Sequence, residues 1–154
     1  MFQYLGNKFL KLGKVDGKDA ILEVEQDLQK NEFTGLYFSA SWCGPCRIFT
    51  PKLRQCYDIW KQQEDKKVEI VFVSNDKSEN EFVQYFYRNQ NWLAVPYMDR
   101  QRLNTLGQVC RVSGLPSLII LDDKGKIVTK DGKYHVDAYK TSAYEYWQEL
   151  RDSQ

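Results

Sequence analysis

The apolar positions of the chain fall into two rhythms, and their order predicts its architecture. Leu36-Tyr37-Phe38-Ser39-Ala40 reads as a short buried strand, and β-branched, apolar Glu69-Ile70-Val71-Phe72-Val73 as a second central one. Between them Ile48, Phe49, Leu53, Tyr57 and Trp60 recur at helical spacing. Ser78 with Glu81 forms a capping box for a helix carrying Phe82, Val83, Tyr85 and Phe86. A further helix is predicted over Gln101 to Cys110. Ser117-Leu118-Ile119-Ile120-Leu121 then gives a strand, Asp122-Asp123-Lys124-Gly125 its turn and Lys126-Ile127-Val128-Thr129 the returning strand. Asp137 is placed to cap a last helix presenting Tyr144, Trp147 and Leu150.

Upstream, Lys8-Phe9-Leu10-Lys11-Leu12 alternates as an edge strand does, followed by a turn region at Gly13 and Gly17. Ile21 to Leu28 fits two readings, a helical face through Ile21, Val24 and Leu28 or a short strand. Strand–helix–strand–helix–hairpin–helix is an α/β sandwich with mixed strand directions. One domain over residues 1–154 is expected, with the least defined pattern in residues 1–34.

Composition narrows the class of protein. Hydrophobic residues make up 42% and charged residues 28%, ordinary for a globular chain and not for a disordered one. A formal net charge of +1 provides no global field toward nucleic acid or acidic lipid. Apolar runs reach only four residues, as in Ile70 to Val73 and Leu118 to Leu121, far short of the roughly 20 a membrane helix needs. The N-terminus lacks the apolar stretch of a secretory signal. The expectation is a cytoplasmic monomer, with the nucleus open to it.

Of the four cysteines only Cys43 and Cys46 are close in sequence. Cys43 follows a strand and opens a helix, where unpaired backbone N–H groups and the positive end of the helix dipole favour a thiolate. That form attacks disulfides; such motifs bring a thiol pKa from about 8.5 to roughly 7. Two intervening residues place Cys46 one turn away on the same helix face, where it can resolve a mixed disulfide. Pro45 suits the first turn of a helix, Gly44 removes bulk beside the attacking sulfur, and Trp42 offers a flat surface to a partner.

A zinc site is the competing reading of C-x-x-C. It would require Cys56, Cys110 and His135 to converge without any ligand spacing. Redox chemistry is the better reading, and neither metal, flavin nor nucleotide is implied. Cys56 and Cys110 are expected to pack as small hydrophobes, and His135 to lie on the surface. Pro116, in Ser113-Gly114-Leu115-Pro116-Ser117, is on its own a strand-boundary proline.

Tyr37 to Arg47 with Phe49-Thr50-Pro51, Val71 to Ser74, Trp92-Leu93-Ala94-Val95-Pro96 and Gly114 to Leu118 together resemble the tryparedoxin and nucleoredoxin branch of the thioredoxin superfamily. The resemblance covers roughly residues 35 to 130. It implies a thioredoxin-like fold, a central mixed β-sheet flanked by helices on both faces. Cys43 would be the attacking and Cys46 the resolving cysteine of a protein-disulfide reductase. Leu115–Pro116 would be a cis bond pairing with the substrate strand, and Trp92 would lie near the active face. Pro51 falls where the family kinks its active-site helix. Implied clients are disulfide proteins such as peroxiredoxins, peroxidases and ribonucleotide reductase, with an upstream dithiol or reductase as donor. The alternative is a redox-gated binding module of nucleoredoxin type with little turnover.

Two departures bear on mechanism. The branch usually carries two prolines between the cysteines, whereas Gly44-Pro45 is the thioredoxin pair; a potential nearer the about −270 mV of thioredoxin is expected. Tyr37 stands where ordinary thioredoxins hold a buried aspartate, so a carboxylate proton acceptor is missing there.

Overall fold

The computed structural model describes residues 1–154. At its centre lie β3 (Phe33–Ser39) and β4 (Val68–Ser74), parallel and in register from Phe33 opposite Val68 to Ser39 opposite Ser74. Every residue of both is buried, as expected of strands covered on two faces. Beyond β3 come β6 (Ser117–Leu121) and then β7 (Ile127–Thr129), each antiparallel to its neighbour. Beyond β4 come β5 (Leu93–Ala94), parallel, and the antiparallel hairpin of β1 (Lys8–Val15) and β2 (Lys18–Glu25). The order is β2-β1-β5-β4-β3-β6-β7.

Alternation along the central strands divides the core in two. Phe33 and Tyr37 of β3, Ile70 and Phe72 of β4 and Leu118 and Ile120 of β6 share one cluster. It also takes side chains from α2 (Gly44–Lys61), α3 (Glu79–Asn89), α5 (Gly132–Tyr139) and α6 (Ala143–Asp152). Leu36, Phe38, Val71, Val73, Ile119 and Leu121 face the other way, onto α4 (Arg100–Val109) and α1 (Phe2–Leu5). This is the thioredoxin-like mixed sheet with helices on both faces. Helix α5 lies so close to β6 that a Cβ at Gly132 would stand 2.7 Å from the Leu118 carbonyl oxygen.

Several local expectations change. Ile21 to Val24 are strand, and Leu28 lies in a short 3-10 turn. Gly13 sits inside β1; the hairpin turns at Asp16 and Gly17, both at positive φ (51° and 79°), as a tight two-residue hairpin requires. Asp137 lies within α5, and α6 begins after Ser142, because Lys140 adopts a left-handed φ of 54° and separates the two helices. Ile48 is 67% exposed: it shares the outer row of α2 with Lys52, Gln55 and Ile59, while Phe49, Leu53, Cys56, Tyr57 and Trp60 form the buried stripe.

Candidate functional site

Strand β3 delivers the chain to Ala40, whose carbonyl accepts from Cys43 N at 3.2 Å, closing a tight turn. Cys43 is the N-cap of α2, with extended dihedrals (φ −91°, ψ 111°), and its sulfur accepts from Cys46 N at 3.2 Å. The sulfur thus takes the place that a serine or aspartate oxygen fills at most helix starts. Cys43 and Cys46 are joined as a disulfide with Cα atoms 5.2 Å apart. Cys43 is 6% exposed and Cys46 0% exposed.

Around the pair, Trp42 is half exposed, and Gly44 and Pro45 are exposed. No atom lies within 4 Å of where a Cβ on Gly44 would stand. Leu115 packs against Ala40, Cys43 and Cys46, and its peptide bond to Pro116 is cis. Trp42, Cys43, Gly44, Pro45, Cys46, Leu115 and Pro116 are therefore brought to one face. Trp92 is not. It is 0% exposed, edge-on to Tyr37 and Tyr57, with its Nε1 donating to Gln90 Oε1 at 2.8 Å. In this arrangement it packs behind the site and cannot touch a docked protein.

The Trp42 loop is held by residues the sequence did not single out. Asp76, 4% exposed, accepts from Ser41 N (2.7 Å) and from the Ser74 hydroxyl (2.7 Å). Trp42 Nε1 donates to the Asn75 carbonyl at 2.9 Å, and the Lys77 ammonium sits 5.4 Å from the Trp42 ring centre. Asn75-Asp76-Lys77 followed by a capping serine reads in sequence only as a turn into α3.

Behind Cys46 lies a closed cluster of hydroxyls. Thr50 Oγ1 donates to the Cys46 carbonyl (2.8 Å) and is bonded to Tyr37 Oη (2.6 Å) and Tyr85 Oη (2.7 Å); Tyr85 Oη is bonded to Ser39 Oγ (2.7 Å). Burial, with the neighbouring Tyr85, pushes the Tyr37 phenol well above its ordinary range, so it stays neutral. Pro51 lies inside α2, where its ring nitrogen provides no donor for the Arg47 carbonyl one turn earlier.

The other candidate ligands stay apart. Cys56 belongs to one core cluster and Cys110 to the other, and both are buried free thiols. Burial pushes the Cys56 thiol up to about 11, and raises that of Cys110 as well. His135 is half-buried on α5 rather than on the open surface, with Nδ1 accepting from Trp147 Nε1 at 3.1 Å. No helix is long and apolar enough to cross a membrane.

A central mixed sheet, a disulfide-linked pair at a helix start and a cis-proline loop against it are the features of a thioredoxin-like fold. The chain belongs to the thioredoxin-like family, whose model matches residues 31–127. Within it the chain is similar to nucleoredoxins and tryparedoxins. It is 42% identical over 124 residues to probable nucleoredoxin 1 of Arabidopsis thaliana, across 79% of this chain and 21% of that protein. It is 40% identical over 102 residues to the tryparedoxin of Trypanosoma brucei brucei, across 66% of this chain and 69% of that protein. The crystal structure of tryparedoxin I from Crithidia fasciculata superposes with a TM-score of 0.76 at 36% identity, covering 91% of this chain and 92% of that one. The chain spans only about a fifth to a quarter of the nucleoredoxins it matches (21% and 27%).

Proposed function

We propose that this chain reduces protein disulfides by a dithiol mechanism. The reading rests on one observation, the pairing of a rim sulfur at the N-cap of α2 with a sealed sulfur one turn behind it. In the reduced form the Cys43 thiolate attacks one sulfur of the client disulfide. A Cys43–client disulfide forms and the first client thiolate leaves. The Cys46 thiolate then attacks Cys43 Sγ, restoring the Cys43–Cys46 disulfide and releasing the second client thiolate. Two electrons pass from the pair to the client, and the released thiolates take protons from water. An external dithiol or a reductase returns the two electrons.

The backbone N–H groups at the start of α2 stabilise the Cys43 thiolate. Trp42, Gly44, Pro45, Leu115 and Pro116 form the surface a client would meet, with peroxiredoxins as one expected class. Neither the hydroxyl cluster nor any carboxylate bonds the Cys46 sulfur. The proton that Cys46 gives up before attack therefore goes to water or to the departing client thiolate.

The test is turnover of insulin disulfides with dithiothreitol by the wild-type chain, Cys43→Ser and Cys46→Ser. The expected pattern is many turnovers for wild type, none for Cys43→Ser, and a trapped mixed disulfide on Cys46→Ser. Stoichiometric oxidation without turnover in the wild type would replace this reading with the redox-gated binding module.

A further inference from the structure

Beside the redox pair runs a groove of about 470 Å³, walled by Pro45, the loop Arg111 to Ser117 and the segment Lys130 to Tyr134. Its charge is out of proportion to that of the chain. The whole protein has 22 basic and 21 acidic residues. The groove holds three cations, Arg111, Lys130 and Lys133, against the single carboxylate of Asp131. Arg111 makes no ion pair or side-chain hydrogen bond, although the chain holds it at a left-handed φ of 53°. Lys130 has no carboxylate partner either; its ammonium donates to the Cys110 carbonyl at 2.8 Å and keeps two donors free. Lys133 is paired with Asp137 at 3.2 Å, so Arg111 and Lys130 stand against Asp131 and leave the groove with one net positive charge.

The wall is also open on its main chain. Neither the N–H nor the C=O of Ser113, Gly114 or Leu115 has a hydrogen-bond partner within the protein. Such a segment can pair with an extended peptide, as an exposed strand edge does. Leu115, Pro116 and Tyr134 add apolar surface.

We propose that this groove selects, among disulfide-bearing protein clients, extended segments that carry carboxylate side chains next to the attacked cysteine. Main-chain pairing along Ser113 to Leu115 sets the segment beside Cys43, and Arg111 and Lys130 meet its acidic side chains. The inference rests on the dithiol reading above for its chemistry, but the docking does not require turnover. Solvent-exposed ion pairs contribute modestly, so two of them amount to a preference of roughly 3- to 10-fold, weakened by salt.

The test uses the full chain and three cystine peptides identical except for flanking Glu, Gln or Lys. Their kcat/KM values are compared at low and at about 0.5 M salt. Glu peptides should lead Gln peptides by roughly 3- to 10-fold at low salt, with Lys peptides last and the ranking compressed at high salt. Arg111→Gln with Lys130→Gln should bring the Glu-to-Gln ratio to about 1, Arg111→Lys should retain it, and Asp131→Asn should raise it. Gln at position 130 still offers a donor to the Cys110 carbonyl, and ratios within each variant cancel any general loss. Calorimetric binding of the same peptides with Ser for Cys to the oxidised chain separates the two readings. Charge preference there without turnover overturns the dithiol reading alone. Equal binding of all three peptides, or none by any, overturns the groove.

Discussion

The Thr50 hydroxyl donates to the main-chain carbonyl of Cys46 at 2.8 Å, and this one bond fixes the direction of the whole cluster behind the redox pair. A carbonyl cannot donate, so the Thr50 hydrogen is committed. Tyr37 and Tyr85 must then both donate to Thr50 Oγ1, and Ser39 to Tyr85. Every hydroxyl is used once as donor, with none ionised. Where a buried carboxylate would couple the pair to its own titration, the neutral cluster only braces α2 against β3.

Thr50→Val keeps the shape and removes the hub. Two phenols, Tyr37 and Tyr85, lose their acceptor in a buried site, and each unsatisfied donor costs about 1–3 kcal/mol. Urea unfolding should show a loss of about 2–6 kcal/mol. Tyr37→Phe removes one donor and leaves no orphan but a spare lone pair, so its loss should be about 1 kcal/mol. Equal losses for the two variants would contradict the assigned directions.

Asp76 fastens the Trp42 loop through both carboxylate oxygens, one on Ser41 N and one on Ser74 Oγ. Asp76→Asn turns one acceptor into a donor facing another donor. A loss of about 1–3 kcal/mol is expected. Trp60, Trp92 and Trp147 are buried and Trp42 is 51% exposed, so acrylamide quenching reports mainly on Trp42. Quenching should increase in Asp76→Asn as the loop loosens.

The contrast between these residues and the cysteine pair shows what a sequence reveals. Apolar periodicity marked the central strands, α2 and α3, because burying one face imposes a repeat on the chain itself. Cys43 and Cys46 could be singled out because their chemistry is local, whereas Pro116 on its own read as a strand boundary and its cis bond followed only from the family resemblance. Asp76, Tyr85 and Ser39 could not be singled out: Tyr85 meets Thr50 and Ser39 across 35 and 46 residues, and Ser41 meets Asp76 across 35. Nothing in the residues near Asp76 distinguishes a loop anchor from a solvated turn aspartate. Ile48 and Trp92 err in opposite directions for the same reason. An apolar residue beside a helical stripe, or in a motif near a site, carries no mark of which way the tertiary fold will turn it.

Thiol reactivity should separate the pair from the two core cysteines. With its pKa pushed up to about 11, Cys56 is roughly one part in a thousand thiolate at pH 8, and burial shields it besides. Cys110 is raised by burial too, and is fully enclosed. In the reduced native protein at pH 8, iodoacetamide should label Cys43 first and leave Cys56 and Cys110 unmodified until denaturant is added. Peptide mass spectrometry over a time course reads the order; early labelling of Cys56 or Cys110 would refute it.

Acid should weaken the packing of α5 and α6 in two separable steps. Trp147 Nε1 donates to His135 Nδ1 at 3.1 Å, so that nitrogen must be unprotonated in the fold. Burial lowers the His135 pKa from its usual 6.5, against an opposing pull from Asp131. Between the lowered native value and 6.5 the unfolded chain binds more protons, so stability is full above about 6.5 and declines as pH falls. Glu32 adds a later step. Burial alone would raise its pKa, but hydrogen bonds from Tyr144 (2.6 Å), Gln148 (3.0 Å) and Arg151 (2.6 Å), with the Arg151 charge, hold it below the usual 4.5. Its contribution is present above about 4.5 and is lost as pH falls through the native value. His135→Asn retains an acceptor for Trp147 without the titration. Urea midpoints measured from pH 7.5 to about 2.5 should therefore lose the first decline in His135→Asn, a difference of about 1 kcal/mol near pH 5, while keeping the second. Glu32→Gln should show the converse, with lower stability at neutral pH and a flatter acid limb. An unchanged profile in His135→Asn would mean that the His135–Trp147 bond does not govern the first step.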